Sequence, residues 1–194
     1  MGYEVFGNRL NPNVVVIGVF HGDEPQGDFL IREYWAKNNS SNLLMLPRLN
    51  DCNTRVNKNG VDLNRNFPTS NWELSPCNEY FGGVAPASED ETKFIIELIE
   101  KYNPKVILTL HAPYKVVNFD GCNSDLDKKI VEEISKIMNY PLQESIGYPT
   151  PGSFGTWAGI EKEILTITLE LDEVISLEDL KNPVFKVFEY LESV

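Results

Sequence analysis

The sequence predicts an α/β fold in which a mixed, mostly parallel, twisted sheet carries helices on both faces. Apolar runs typical of buried strands, beginning at residues 14–20, alternate with segments whose apolar side chains recur at helical spacing, beginning at residues 26–37. Such alternation is typical of parallel sheets that are covered on both faces. No repeat or linker divides the 194 residues, so we expect residues 1–194 to form a single domain.

The predicted elements follow one another along the chain. We expect strands at residues 14–20, 43–46, 105–110, 116–119 and 164–171, and helices at 26–37, 88–102, 124–137, 154–160 and from 176 onward. Ser88, as part of a capping box, Ser124 and Ser176 are expected to cap helices, and Pro183 to kink or restart the last one. Residues 48–86 and 140–152 are predicted loops. Because loops as long as the first are usually functional, we expect it to line the site.

Charge and cysteine content exclude several kinds of partner. With 17 basic and 29 acidic side chains, the chain has a formal charge of -12 and no basic stripe for nucleic acid or an anionic membrane. No apolar run is long enough to cross a membrane, and the first residues do not resemble a signal peptide. Three cysteines without metal-ligand spacing indicate a reduced, cytoplasmic protein, with pairing of Cys52 and Cys77 left open. A monomer and a homodimer both fit.

Both histidines of the chain directly follow predicted buried strands. His21 comes after the strand at 14–20, with Glu24 three residues later, and His111 comes after the strand at 105–110. Because sites in open α/β sheets form at the carboxyl ends of strands, we expect these side chains to converge. Imidazole and carboxylate groups suit zinc, and a catalytic zinc keeps one position for water. The sequence therefore predicts one Zn²⁺ per chain, held by His21, Glu24 and His111.

Several other polar residues of the chain are candidates for catalysis and substrate binding. Glu170 interrupts an apolar strand near its carboxyl end, and it is predicted to be the general base for water activated by the metal. The alternative is a structural carboxylate on an edge strand or in a salt bridge. Arg55, Asn64 and Arg65 lie in the long loop. They are either exposed polar residues or groups that bind a terminal carboxylate and polarise the scissile carbonyl, for which arginine is well suited.

Together these motifs resemble the zinc carboxypeptidases. The resemblance rests on His21-Gly22-Asp23-Glu24, Gly60-Val61-Asp62-Leu63-Asn64-Arg65-Asn66-Phe67, His111 and Thr168-Leu169-Glu170, in this order. It implies that His21, Glu24 and His111 bind the metal and that Glu170 is the catalytic glutamate. It also implies that Arg55 stabilises the tetrahedral oxyanion, while Asn64 and Arg65 grip the terminal carboxylate of the substrate. Tyr148 matches a mobile tyrosine that closes over the substrate, the alternative being an aromatic side chain packed on the loop surface.

A narrower resemblance is to the bacterial murein peptide amidases, which cleave between γ-D-glutamate and meso-diaminopimelate in cell-wall peptides. It rests on the small size of the chain and on residues 147–157. It implies a small peptide substrate derived from the cell wall and a role in recycling imported peptides. Gly155, seven residues after Tyr148, matches the base of the specificity pocket. Since glycine offers room without charge, we expect no selection of arginine or lysine by a buried acid there.

Two other functions stay open. One is a deacylase of the succinylglutamate desuccinylase or aspartoacylase kind, which uses a similar zinc and glutamate on small acyl-amino acids. Tyr148 and the Asn64–Arg65 loop favour the peptidase over it. The other is a non-catalytic peptide-binding module that kept the fold, against which the complete ligand set and Glu170 argue.

Overall fold

A mixed sheet of seven strands lies at the centre of the structure, a computed structural model that describes residues 2–38, 41–144 and 147–194. The strands are β1 (Phe6–Gly7), β2 (Val14–Ile17), β3 (Leu44–Leu46), β4 (Val106–His111), β5 (Val116–Asp120), β6 (Leu142–Gln143) and β7 (Leu165–Glu170). Their order is β1-β3-β2-β4-β7-β5-β6. The β1–β3 and β5–β7 pairs are antiparallel and the other neighbours are parallel. The prediction of a mixed, mostly parallel sheet is therefore confirmed.

Helices cover both faces of this sheet, as expected. In the described part of the chain they are α1 (Gln26–Asn38), α2 (Asp90–Tyr102), α3 (Asp125–Met138) and α4 (Leu177–Leu191), together with a 3₁₀ turn (Leu63–Arg65) and a π-helix (Gly155–Glu161). One face packs against α1, α3 and α4, and the other against α2, the π-helix and part of the long loop.

Strand alternation divides the core into two layers and leads to the site. In β2, Val14 belongs to the layer formed with α1, α3 and α4, whereas Val15 belongs to the layer formed with α2. Successive side chains of a strand point to opposite faces. In β7, Leu169 lies in the first layer, so Thr168 and Glu170 face the second. The second face therefore becomes polar where β7 ends.

The helix starts follow two of the three predicted caps. Ser124 and Ser176 each accept a hydrogen bond from the backbone N–H three residues later. The capping box predicted at Ser88 is wrong. The residue before α2 is Glu89, which makes no side-chain cap, and the Ser88 hydroxyl donates instead to the Glu89 carboxylate at 2.7 Å.

Pro183 lies inside α4, which runs through it without a break, so the predicted restart of this helix is wrong. Leu180 and Val184 on either side of it are fully buried in the core. Packing of this kind outweighs the one backbone hydrogen bond that a proline removes from a helix.

A few boundaries and small elements differ from the predictions. The strands β1 and β6 were not predicted, because two residues carry no recognisable periodicity. Strand β2 ends at Ile17 instead of residue 20, although Val19 and Phe20 stay buried. Cys52, Cys77 and Cys122 are free thiols, which answers the open question of pairing. Within the described ranges, no helix is both long and apolar enough to span a bilayer.

Candidate active site

Two strand ends bring His21, Glu24 and His111 to one place. His111 is the last residue of β4, and His21 follows β2 by four residues. The backbone N–H of Glu24 donates to the His21 carbonyl at 3.1 Å, which closes a turn and sets the carboxylate beside the imidazole. The three side chains offer ligand atoms that all lie within 4.8 Å of one another.

Gly22 allows this turn to pack directly on the long loop. A Cβ atom at Gly22 would lie 1.8 Å from the carbonyl oxygen of Cys52. The Gly22 N–H also donates to the carbonyl of Thr54 at 3.0 Å. A larger residue would push His21 away from residues 48–86, so the glycine in this motif is a packing requirement.

Glu24 joins the two histidines. Its Oε1 lies 2.8 Å from His21 Nδ1 and its Oε2 lies 2.9 Å from His111 Nδ1. The Ala112 N–H also donates to Oε2 at 3.3 Å. Burial opposes ionisation, but the contacts with His111 and His21 outweigh it and hold the pKa of Glu24 well below its usual range. Glu24 is therefore an anion at neutral pH.

This donor set fits a zinc ion. Two imidazoles and a carboxylate are ligands that zinc accepts in catalytic sites, and His21 and His111 are almost fully buried. A zinc ion bound here supplies Lewis-acid polarisation of a carbonyl and lowers the pKa of water. His21, Glu24 and His111 are thus able to hold a catalytic metal.

Asp62 organises this end of the cleft, although no role was predicted for it. Its fully buried carboxylate lies 3.1 Å from His21 Nε2. Burial disfavours both charges, yet their hydrogen bond, with further help from Glu24, raises the pKa of His21 to about 9 and lowers the pKa of Asp62 to about 2. A carboxylate on the far nitrogen of a ligating histidine fixes the ring orientation. We call His21, Glu24, His111 and Asp62 the metal end of the cleft.

Arg55 is held at the metal end by two neighbours. Its Nε and Nη2 donate to Asp62 Oδ2 at 3.0 and 2.8 Å, and its guanidinium carbon lies 5.0 Å from the centre of the Tyr80 ring. Its third nitrogen, Nη1, lies 3.5 Å from His21 Nδ1. Arg55 therefore presents one N–H group to the metal ligands while the others fix its position.

Asn64 and Arg65 belong to the 3₁₀ turn, which Asp62 caps by accepting the Asn64 N–H at 2.9 Å. Asn64 Oδ1 accepts the Phe154 N–H at 2.8 Å, so its Nδ2 is left to donate. Arg65 is 6% exposed and donates from Nη1 to the Asn64 carbonyl at 2.7 Å. The long loop thus lines the site, as expected, and supplies donors for an anion.

Glu170 is the last residue of β7 and lies opposite His111 in the β4–β7 register. Burial raises the pKa of Glu170, against the opposing effect of His111. Its Oε2 atom is buried and has no hydrogen-bond partner among the described residues. Strand β7 lies inside the sheet, and no described residue forms a salt bridge with Glu170. Both observations favour the role of a general base over the two structural alternatives, and that role stays a prediction.

Beyond Glu170 the cleft continues along β5 and the π-helix to Asn118, Asp120 and Gly155, which we call the far end. The sequence motifs assigned no role to Asp120, which lies one residue beyond the strand predicted at 116–119 and is the last residue of β5. A Cβ atom at Gly155 would lie 2.2 Å from Asp120 Oδ2. A carboxylate therefore lies beside Gly155, whereas the expectation that no buried acid selects arginine or lysine there stays a prediction.

Tyr148 and Tyr114 line the open side of the cleft, 42% and 56% exposed. Contact with Tyr148, through charge and a hydrogen bond, raises the pKa of Tyr114. The cleft as a whole is lined by every residue for which the sequence predicts a role, namely His21, Glu24, Arg55, Asn64, Arg65, His111, Tyr148, Gly155 and Glu170. The individual roles stay predictions.

Comparison with known proteins shows which protein family this chain matches. Residues 32–174 match the family model of the zinc carboxypeptidases. Murein peptide amidase A from Vibrio campbellii is 36% identical over 144 residues, which cover 68% of this chain and 56% of that protein. The chain therefore spans a little over half the length of this curated relative.

Solved structures agree with this match. The murein-tripeptide amidase of Escherichia coli O157 superimposes with a TM-score of 0.81 at 27% identity, over 97% of this chain and 85% of that one. Carboxypeptidase A from Helicoverpa armigera shares the fold, with a TM-score of 0.73 at 17% identity over 94% of this chain and 60% of that one. Since the family model covers well over half of its residues, the chain belongs to the zinc carboxypeptidase family.

Proposed function

We propose that this protein is a zinc-dependent hydrolase that cleaves a peptide amide next to a free carboxylate, and that its substrate is the γ-D-glutamyl-meso-diaminopimelate bond of murein peptides. One observation carries the proposal: the residues with predicted roles all line a single cleft. Two proteins similar to this chain are named as murein amidases, which supports the choice of bond. One zinc ion per chain is held by His21, Glu24 and His111.

Glu170 carries the proton in this proposal. Because burial raises its pKa, its carboxylate is a stronger base than that of an exposed glutamate. It takes a proton from the attacking water and delivers it to the leaving amide nitrogen. Its Oε2 atom, without a partner among the described residues, is available for both transfers.

The arginines bind the two places where the substrate carries negative charge. Arg55 uses Nε and Nη2 for Asp62, so Nη1 remains to stabilise the carbonyl oxygen as it becomes negative. Arg65 and Nδ2 of Asn64 hold the terminal carboxylate of the leaving residue. Tyr148 closes over the bound peptide. All of these residues belong to one chain, so a monomer is sufficient.

Hydrolysis of L-alanyl-γ-D-glutamyl-meso-diaminopimelate by the zinc-loaded protein tests the proposal, with Glu170→Gln as the variant that keeps the size of the side chain and removes the base. We expect the native protein to release diaminopimelate, and the variant to do so about 10³-fold more slowly. Equal release by both would remove Glu170 from the mechanism. Cleavage of ordinary C-terminal residues but not of this tripeptide would keep the zinc chemistry and reject the cell-wall substrate.

The same assay separates the two alternatives. Turnover of an N-acyl aspartate or N-acyl glutamate without peptide cleavage would favour the deacylase. Binding of zinc and peptide with no hydrolysis would identify a non-catalytic module. The donors at Asn64 and Arg65, which suit a free terminal carboxylate, support the peptidase.

We also propose a cytoplasmic location, where imported cell-wall peptides would be available. Three free thiols are typical of a reducing compartment and support it. Labelling of all three thiols in intact cells by a membrane-permeable reagent, but not by an impermeable one, would be the expected result.

A further inference from the structure

Tyr80 lies at the rim of the cleft, with its ring against a group that the proposed mechanism uses. It lines the cleft and is 45% exposed. The guanidinium carbon of Arg55 lies 5.0 Å from the centre of this ring. A guanidinium within about 6 Å of an aromatic face is attracted to it. The sequence motifs assigned no role to Tyr80, and the proposed mechanism gives it none.

The hydrogen bonds between Arg55 and Asp62 do not by themselves fix the angle of the guanidinium plane. Arg55 Nε and Nη2 both donate to the same atom, Asp62 Oδ2. The other oxygen, Oδ1, contacts His21 Nε2 and accepts the Asn64 N–H. Arg55 therefore lacks the pairing of two N–H groups with two oxygens that aligns a guanidinium with a carboxylate, and its plane is able to tilt about Oδ2.

Nη1 is the nitrogen that such a tilt displaces most. It lies on the opposite side of the guanidinium from Nε and Nη2, and hence farthest from Asp62 Oδ2. In the proposed mechanism this nitrogen stabilises the carbonyl oxygen of the substrate. Displacement of a group by about 1 Å can slow a reaction about 100-fold. A contact on the face of the guanidinium opposes the tilt, and Tyr80 supplies that contact.

The segment after Tyr80 is fixed to the part of the long loop that forms the site. The carbonyl of Phe81 accepts the Asp62 N–H at 2.8 Å. A Cβ atom at Gly82 would lie 2.5 Å from the carbonyl oxygen of Arg65, so the two backbones are in close contact there. The backbone that carries the Tyr80 ring is therefore attached to Asp62, the same residue that binds the Arg55 side chain.

The ring of Tyr80, and not its hydroxyl, makes the contact with Arg55. Among the residues that the structure describes, none forms a hydrogen bond with this hydroxyl. An interaction between a cation and an aromatic face does not require a hydroxyl group, since phenylalanine also provides it. Phenylalanine at this position should therefore keep the function of Tyr80, whereas an aliphatic side chain should lose it.

We infer, on the basis of the proposed function, that Tyr80 is a positioning residue for Arg55. Its ring holds the guanidinium plane at the angle at which Nη1 reaches the carbonyl oxygen of the substrate as this oxygen becomes negative. Because that interaction is strongest in the transition state, Tyr80 acts mainly on kcat and leaves KM nearly unchanged.

Steady-state kinetics on L-alanyl-γ-D-glutamyl-meso-diaminopimelate, the diaminopimelate tripeptide, test this inference with zinc-loaded variants. Tyr80→Leu removes the ring, and Tyr80→Phe removes only the hydroxyl. Tyr102→Leu is a matched control, because the Lys101 ammonium lies 4.7 Å from the centre of the Tyr102 ring and Tyr102 does not line the cleft. We expect kcat to fall about tenfold in Tyr80→Leu and to stay within about twofold of the native value in the other two variants.

Combination with Arg55→Lys decides whether Tyr80 acts through Arg55. Lysine keeps a positive charge beside Asp62 but has no third nitrogen for the ring to orient. Tyr80→Leu should therefore lower kcat by less than about twofold when residue 55 is lysine. An equal loss of kcat in both backgrounds would overturn the inference. So would a loss in Tyr80→Phe as large as that in Tyr80→Leu, or a rise in KM with kcat unchanged.

The proton on Arg55 Nε gives a second readout that does not need turnover. Its signal in ¹H–¹⁵N NMR spectra is identified by its absence in Arg55→Lys. Exchange of this proton with water should be at least about fivefold faster in Tyr80→Leu, because the guanidinium moves more freely, and unchanged in Tyr80→Phe. If no tripeptide is hydrolysed, the proposed function fails, and this exchange rate still decides whether Tyr80 holds Arg55. Equal rates in the native protein and Tyr80→Leu would overturn the inference.

Discussion

The carboxylates at the two ends of the cleft differ in burial and in the hydrogen bonds that they accept. Asp62 at the metal end is fully buried and accepts hydrogen bonds from Arg55 and from the Asn64 backbone, besides its contact with His21. Asp120 at the far end is half-buried and has no such partner among the described residues. The protein itself supplies hydrogen-bond donors to the carboxylate of the first end, whereas no described residue supplies one to the carboxylate of the second. The two ends therefore differ in whether the protein alone satisfies a charged group.

Among the substitutions that compare the two ends of the cleft, Arg55→Lys should have the largest effect, because it disrupts the metal end. Lysine cannot make two hydrogen bonds to Asp62 and also present a third N–H to the carbonyl oxygen. We expect kcat for the diaminopimelate tripeptide to fall about 10²-fold, measured by steady-state kinetics with zinc content as the control. A rise in KM with kcat unchanged would instead assign Arg55 to substrate binding.

Asp62→Asn tests whether the metal end alone determines the affinity of the protein for zinc. Loss of the carboxylate behind His21 should weaken zinc binding by about 10- to 100-fold, whereas Asp120→Asn should leave it unchanged. Competition with a zinc chelator measures both variants. If the two substitutions weakened zinc binding equally, the distinction between the ends would be lost.

Gly155→Ala should act only on the far end. The new methyl group would meet Asp120 Oδ2, so we expect KM for the diaminopimelate tripeptide to rise about tenfold, with zinc affinity unchanged. Gly2→Ala is the control, since nothing lies within 4 Å of a Cβ there. An unchanged KM in Gly155→Ala would mean that the ligand does not reach this point.

The smallest expected effect concerns the free energy of unfolding. Because burial raises the pKa of Asp120, the folded state keeps this proton to a higher pH than the unfolded chain does. The native protein should therefore lose stability as the pH rises from the ordinary pKa of aspartate through the raised value. Asp120→Asn, which has no such proton, should be more stable than the native protein above that window by less than about 1 kcal/mol.

Urea unfolding at a series of pH values measures this difference. The two proteins should have equal stability below the window, where Asp120 is protonated in both states. A variant that is less stable than the native protein at neutral pH would show that Asp120 supports the fold, contrary to the comparison between the two ends.

The sheet and the metal ligands were predictable for the same reason. Long apolar runs identify buried strands, and the first polar residues after them fall at the edge of the sheet where sites form. The family match begins at residue 32, after His21 and Glu24. The assignment of these two residues to the same site as His111 therefore rests on their position after a strand and on the distances between the three side chains. The cap at Ser88 failed because its hydroxyl contacts Glu89, a preference that no pattern of residue types reveals.

Asp62 and Asp120 show two limits of prediction from sequence. Asp62 lies between apolar residues in a loop, which signals burial, but its partners come together only when the loop folds back on β2. Asp120 lies one residue beyond the predicted strand, and Gly155, which leaves room for its carboxylate, comes thirty-five residues later on another element. Packing between distant segments decides the surroundings of both carboxylates.

Insertions or deletions within β4 or β7 would disrupt the candidate active site. Six paired residues align the two strands, with His111 opposite Glu170 at their ends. Gain or loss of one residue in β7 would turn the following side chains to the opposite face, so that a leucine would enter the cleft and the glutamate would enter the apolar layer. The two strands therefore have to keep their length, whereas the connections, such as residues 48–86, are able to change in length. New specificity can arise in these connections or by single substitutions.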